Sequence, residues 1–256
     1  MINKLIVFAC VTLIFLIVTV DGQSRQGRRV AKQLPPCHWK QIDDCIKPTF
    51  YFSHRPNTTG LALNRREHAL LCRTIKNVTS CVEDFFGRCG TQFSQEMFVL
   101  INEVYTNNVK PFCRNGDQKN NYLEHARCIN KVKLAPTFKK KCVSKFQATL
   151  ESMSEREDYA DRVGVGCCGF KVFSDCAQGM IGEQCPPPDA SGRAFIDYMN
   201  AITGGVPEYV CRAKKYDVDS KYCQKVLPTV RRRPQGRNSD NVFSKYFSLF
   251  YPNLGF

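Results

Sequence analysis

The chain has 256 residues, 43% of them hydrophobic, with 15 cysteines and a formal charge of +14. That hydrophobic share excludes wholesale disorder, and the length allows one large domain or two small ones. So many cysteines in a basic chain exclude an ordinary cytosolic enzyme, whose thiols stay reduced.

Residues 1–22 read as a secretory signal peptide. Lys4 supplies the basic start, and Leu5 to Val20 are apolar except for Thr12 and Thr19. Val20-Asp21-Gly22 places cleavage before Gln23. The competing reading, an uncleaved anchor, calls for about 20 apolar residues in a row. No later stretch is long or apolar enough to span a bilayer. The expectation is a secreted, extracellular protein with no transmembrane segment in its mature chain.

Residues 23–36 form a basic arm, with Arg25, Arg28, Arg29 and Lys32 and no acid, and Pro35-Pro36 closes it. A second arm, 228–256, carries Arg231, Arg232, Arg233, Arg237 and Lys245 against Asp240. The cysteine-bearing region between the arms is the expected folded body.

Loss of residues 1–22 removes Cys10 and leaves fourteen cysteines, an even number that reads as up to seven disulfides. There is no Cys-x-x-Cys, so neither a zinc knuckle nor a redox pair has its ligands. Asn57-Thr58-Thr59 and Asn77-Val78-Thr79 are N-glycosylation acceptors, in keeping with export.

Within the body the cysteines repeat. Cys37, Cys45, Cys72, Cys81, Cys89 and Cys113 form one set of six; Cys128, Cys142, Cys167, Cys176, Cys185 and Cys211 form another. Aligning Cys113 with Cys211 also matches Leu100 to Tyr198, Ile101 to Met199, Asn102 to Asn200, Val104 to Ile202 and Arg114 to Arg212. This predicts two duplicated units, 37–113 and 128–227, of unknown pairing within each set. The alternative is that cysteine-rich chains align with themselves by accident. Cys168 and Cys223 have no counterpart in the first unit, which predicts a bond between them.

The local pattern is helical. Phe93, Met97, Leu100, Ile101 and Val104 recur at helical intervals, as do Phe195, Tyr198, Met199 and Ile202, and both stripes read as core. Thr91 and Asp189 are the expected N-caps. Alternating β-branched runs are scarce. The fold class expected is all-α, a disulfide-stapled helical body.

Catalytic signatures are not found. Gly166-Cys167-Cys168-Gly169-Phe170 invites comparison with secreted phospholipases, which need a His soon after the pair; Lys171, Val172 and Phe173 follow instead. His38, His54, His68 and His125 are scattered without metal spacing, and nucleotide-binding and zinc-protease motifs are missing. The chain is read as a non-enzyme with no cofactor and no metal. Arg127, Lys131, Lys133, Lys139, Lys140, Lys141 and Lys145 form a run without an acid, ahead of the acidic run that opens at Glu151. Such a run can bind an anionic polysaccharide, lipid or microbial surface, or can simply be solvated or face the acids. Base-stacking and groove-reading elements are not found, so no nucleic acid is expected.

In the C-terminal arm Phe243, Tyr246, Phe247, Phe250 and Tyr251 fall at i, i+3, i+4, i+7 and i+8, an aromatic stripe expected to dock on a protein groove.

The run "CVEDFFGRC…NEVYTNNVKPFCRNGD…CINKVKLAPTFKKKC" between Cys81 and Cys142 resembles the secreted, helical, cysteine-rich glycoproteins of arthropod haemolymph (the 27 kDa haemolymph glycoprotein type). Its spacing is also similar to a class of nematode secreted domains. The resemblance implies extracellular fluid, an all-helical body and no established catalytic residue. The functional expectation is a secreted, non-enzymatic binding or interaction protein whose partner is an unknown extracellular protein or an anionic surface. The alternatives are a cationic venom or defence effector and a precursor of a C-terminal peptide.

Overall fold

The computed structural model describes residues 37–38, 40–54 and 61–228. Both arms, the signal segment and Asn57 lie outside the described residues, as do the aromatic residues Phe243, Tyr246, Phe247, Phe250 and Tyr251. The described chain is helical, and no strand occurs among the described residues.

The first three helices are α1 (Lys40–His54), α2 (Arg65–Cys89) and α3 (Gln92–Cys113). The start of α2 is set by a reciprocal cap. Asn64 Oδ1 accepts from the Glu67 N–H at 2.9 Å, and the Glu67 carboxylate accepts from the Leu63 N–H at 2.8 Å. Three cysteines on α2 then decide its neighbours. Cys72 and Cys81 lie nine residues apart, two and a half turns at 3.6 residues per turn, so they face opposite ways. Cys72 bonds Cys113 at the end of α3, while Cys81 bonds Cys45 on α1. Cys89 returns to the Cys81 side and bonds Cys37.

The remaining helices are α4 (Asp117–Leu134), α5 (Pro136–Phe138), α6 (Ser144–Glu151), α7 (Tyr159–Gln184), α8 (Pro188–Thr203), α9 (Val206–Val210) and α10 (Lys221–Val226). A π-helical segment, Lys139–Val143, joins α5 to α6. The long helix α7 carries cysteines at nine-residue spacing again. Cys167 bonds Cys211 beyond α9, Cys176 bonds Cys142 in the π segment, and Cys185, at the helix end, bonds Cys128 on α4. Both sets of six therefore pair in one order: first to fifth, second to fourth, third to sixth. Cys168 points roughly 100° away from Cys167 and bonds Cys223 on α10.

One apolar core runs through both halves. Leu61, Leu71, Ile75 and Phe112 from the first half join Tyr122, Phe146, Phe173, Phe195 and Tyr198. Among the described side chains, α1 and the far end of α2 share a separate cluster, Ile42 and Phe85, with Ile46, Phe86 and Cys89 against it. Helix α4 runs unbroken from Asp117 through Cys128, and its first half supplies Tyr122 and Ala126 to the shared core. Where α3 crosses the end of α8 the backbones approach closely. Gly204 and Gly205 take φ of 65° and 68°, and Asn108 Nδ2 donates to the Gly204 carbonyl at 2.9 Å.

Two expectations need correction. The stripe on α8 is core: Phe195, Tyr198, Met199 and Ile202 are all buried. Of its counterpart on α3, Leu100 departs from this, at 49% exposed with Val99 at 66% beside it, and Val104 is half-buried; the side chains of Phe93, Met97 and Ile101 lie outside those described. Helix α8 packs against α4, α7 and α3. The start of α3 meets α2 through the Phe86–Phe98 ring stack at 5.2 Å. The N-cap of α8 is Pro187 rather than Asp189, which sits in the first turn. Pro188 suits the first helical position because it lacks an N–H and has a pre-set φ. Thr91 does precede α3, and its carbonyl accepts from the Gln95 N–H at 2.9 Å.

Two stability outcomes follow. The double variant Cys168→Ala/Cys223→Ala is expected to lose about 2–4 kcal/mol in denaturant unfolding, with faster amide exchange concentrated in residues 214–226. Gly204→Ala is expected to lower the Tm, since a Cβ there would lie 2.1 Å from the Tyr105 ring on a backbone already in the left-handed region.

Candidate functional site

Three features of the body hold chemistry that packing does not absorb. The first is a groove between α7 and α8 of about 110 Å³. Its floor is the edges of Phe170, Phe173, Phe195 and Met199, all residues that also serve the core. Polar groups rim it: Lys171, Ser174, Asp175, Gln178, Asn200 and Glu208. Asn200 Nδ2 donates to Glu208 Oε2 at 2.7 Å, tying α8 to α9 along one edge. Asp197, on the same helix, has its pKa raised by burial and by the Glu208 charge, with Arg193 opposing. Metabolite pockets usually run to roughly 300 Å³ or more, so this groove is smaller than such a pocket. Phe195 and Met199 read as core in the sequence, and periodicity gives no sign that they also line a groove.

The second feature is a basic corner. Helix α4 ends at Leu134, Ala135 leaves the helix, and Pro136 starts the next turn. Arg127 and Lys131 on α4 are exposed, as are Lys140, Lys141 and Lys145 beyond the corner. Phe138, Cys142 and Phe146 take the inward stripe of that second segment, at 2% exposure each, which turns the lysines outward. Lys133 is half-buried, and desolvation alone pushes its pKa down to about 8. In the acidic run, Asp158 caps α7 by accepting from the Ala160 N–H at 2.6 Å.

The third feature lies in the core. His68 is fully buried, its ring 4.8 Å from that of Phe112 and 5.9 Å from that of Tyr122, and Tyr122 stacks on Tyr198 at 5.5 Å. His68 Nδ1 lies 3.9 Å from Cys72 Sγ, a disulfide sulfur that can only accept. Among the described residues, no well-aligned hydrogen-bond partner reaches His68 Nε2 or the Tyr122 hydroxyl. Burial, helped by the Lys119 charge, lowers the His68 pKa to about 4, and burial raises the Tyr122 hydroxyl well above its ordinary value.

Of the residues singled out in the sequence, all fourteen cysteines from Cys37 onward are joined in seven bonds. Asn77 is exposed on α2, with the Thr79 hydroxyl donating to the Ile75 carbonyl at 3.0 Å. No group of three His, Cys, Asp or Glu side chains converges as a metal site among the described residues, and none of their helices is long and apolar enough to cross a membrane. No protein-family model matches the chain, and no curated protein or solved structure matches it either.

The buried imidazole has a pH consequence. Its pKa in the fold, about 4, lies below the ordinary 6.5, so the unfolded chain takes up the proton more readily. His68 therefore favours the fold fully above pH 6.5, and this contribution falls away as the pH drops towards 4. The expected loss is on the order of 2–3 kcal/mol, read as a declining Tm across that window with the disulfides intact. His68→Leu should flatten this part of the pH profile.

Proposed function

We propose that the protein is a secreted, non-enzymatic, disulfide-rich binding protein of an extracellular fluid. The observation that carries this reading is the covalent architecture. Seven disulfides use every cysteine after Cys10, which suits an oxidising compartment outside the cell. A body held this way keeps its surface shape where proteases and dilution would unfold a loosely cored one. The groove on α7 and α8, floored by aromatic edges and rimmed by polar groups, has the form of a notch for a partner's side chain rather than a pocket for a small substrate. The resemblance of the Cys81–Cys142 run to haemolymph-type glycoproteins points the same way. A cationic effector of defence or venom is the second reading, and the basic corner is the observation that favours it.

The test is expression of the whole chain through a eukaryotic secretory pathway. The expected result is recovery from the medium, an N-terminus at or beyond Gln23, seven disulfides and a glycan on Asn77. Material retained in the cell with free thiols would overturn the reading. Reduction of the recovered protein should abolish its cooperative thermal transition, seen by circular dichroism.

A further inference from the structure

We propose that the corner joining α4 to the π segment docks on an anionic lipid bilayer, with Leu134 entering the interface between flanking cations. The proposal rests on the exported-protein reading above and gives it a partner.

The charge in this region is one-sided. Between Glu124 and Glu151 the chain has seven cations and no acid. Two disulfides, Cys128–Cys185 and Cys142–Cys176, clamp the region onto α7 at both ends. The stretch of α7 between those anchors, residues 176–185, offers one acid, Glu183, and no cation. Lys139 is engaged within the fold and Lys133 is half-buried, so neither is counted. Five exposed cations remain: Arg127, Lys131, Lys140, Lys141 and Lys145.

Helix stability does not account for this pattern. Lys131 sits in the last turn of α4, where a cation complements the helix dipole. The run from Pro136 to Glu151 is charged the wrong way round. Its lysines crowd the N-terminal half, where the dipole is positive, and its acid stands at the C-terminal end. Local preference is overridden here, as happens where a surface serves another purpose. The Lys139–Val143 stretch is also π-helical, a geometry found often at functional positions.

A leucine distinguishes a lipid surface from a purely charged partner. Leu134 is 62% exposed at the apex of the corner, and Arg127, Lys131 and Leu134 fall at i, i+4 and i+7 along one face of α4. A sulfated polysaccharide has nothing to offer that side chain. A bilayer provides both anionic headgroups for the cations and an apolar layer just beneath them. The disulfide clamps hold the corner in place, so little ordering entropy is lost on docking.

The test uses the mature, oxidised, full chain in vesicle co-sedimentation. The vesicles are phosphatidylcholine alone, or phosphatidylcholine and phosphatidylserine at seven parts to three. The wild type is expected to partition onto the anionic vesicles only, more weakly as salt rises. Lys140→Glu/Lys141→Glu/Lys145→Glu is expected to weaken partitioning by about tenfold or more. Leu134→Ser, which leaves the charge untouched, should weaken it several-fold, roughly up to tenfold. A control with the same change in net charge, Arg65→Glu/Arg66→Glu/Arg73→Glu on α2, should fall much less than the corner variant. Circular dichroism and disulfide count establish that each variant is folded. Both basic arms are present throughout, so anionic binding that survives the corner variants assigns it to the arms and overturns the proposal. Equal binding to both vesicle types, or loss by the α2 control equal to that of the corner, also overturns it. So does corner-dependent binding to heparin without binding to vesicles, which would assign the surface to a polysaccharide. In each of these cases a secreted protein with seven disulfides would leave the reading of an exported binding protein standing.

Discussion

The rest of the structure depends on where half-cystines fall around two long helices. On α2 the nine-residue step from Cys72 to Cys81 turns the second sulfur half a revolution from the first, so the helix cannot bond both to one neighbour. It stands between α1 and α3. The same step on α7 sends Cys167 towards the chain beyond α9 and Cys176 towards the π segment. A cysteine directly after Cys167 opens a third direction, which α10 fills through Cys223. Each long helix is thereby the middle member of its group. The bonds join residues 34 to 57 positions apart, so they remove much of the unfolded chain's freedom.

Apolar burial and covalent staples are distributed in a complementary way. The second half and the inner end of the first share one core, centred on the His68, Phe112, Tyr122 and Tyr198 rings. At the outer end, where α1 meets the last turns of α2, the described side chains form a separate cluster of Ile42 and Phe85 with Ile46, Phe86 and Cys89 against it. Two disulfides, Cys37–Cys89 and Cys45–Cys81, hold that end together. Among the described residues Val99 and Leu100, near the start of α3, are exposed.

Surface chemistry is separated by face. The α7–α8 groove is bordered by both signs of charge and by amides, while the corner after α4 is cationic with a leucine at its apex. Both surfaces adjoin α7, which disulfides at Cys167, Cys168 and Cys176 tie to other parts of the chain. The repeated pairing order, first to fifth, second to fourth and third to sixth, is the arrangement that two copies of one ancestral unit would adopt. Only the second carries the extra bond.

The helices and the even set of cysteines were legible because each is a local or compositional property. Helical periodicity marked α3 and α8, and spacing within six-cysteine sets marked the covalent framework. The Cys168–Cys223 bond was reachable by elimination, since neither residue has a counterpart in the other set. The half-turn step on α2 was also present in the numbering, and it shows why one cysteine must face away from the next. The basic corner was visible as a run of like charge. Which side of a helix would be covered was not legible, because burial depends on elements distant in the chain. The matching stripes on α3 and α8 look alike in sequence, yet Leu100 is exposed where its counterpart Tyr198, on a helix packed against α4 and α7, is buried. The groove depends on how two such helices splay, and the burial of His68 depends on rings from two other helices. Sequence alone determined what each segment would form and which chemistry it carried. Tertiary structure decided which faces water could still reach, because exposure belongs to the packed arrangement rather than to any one segment.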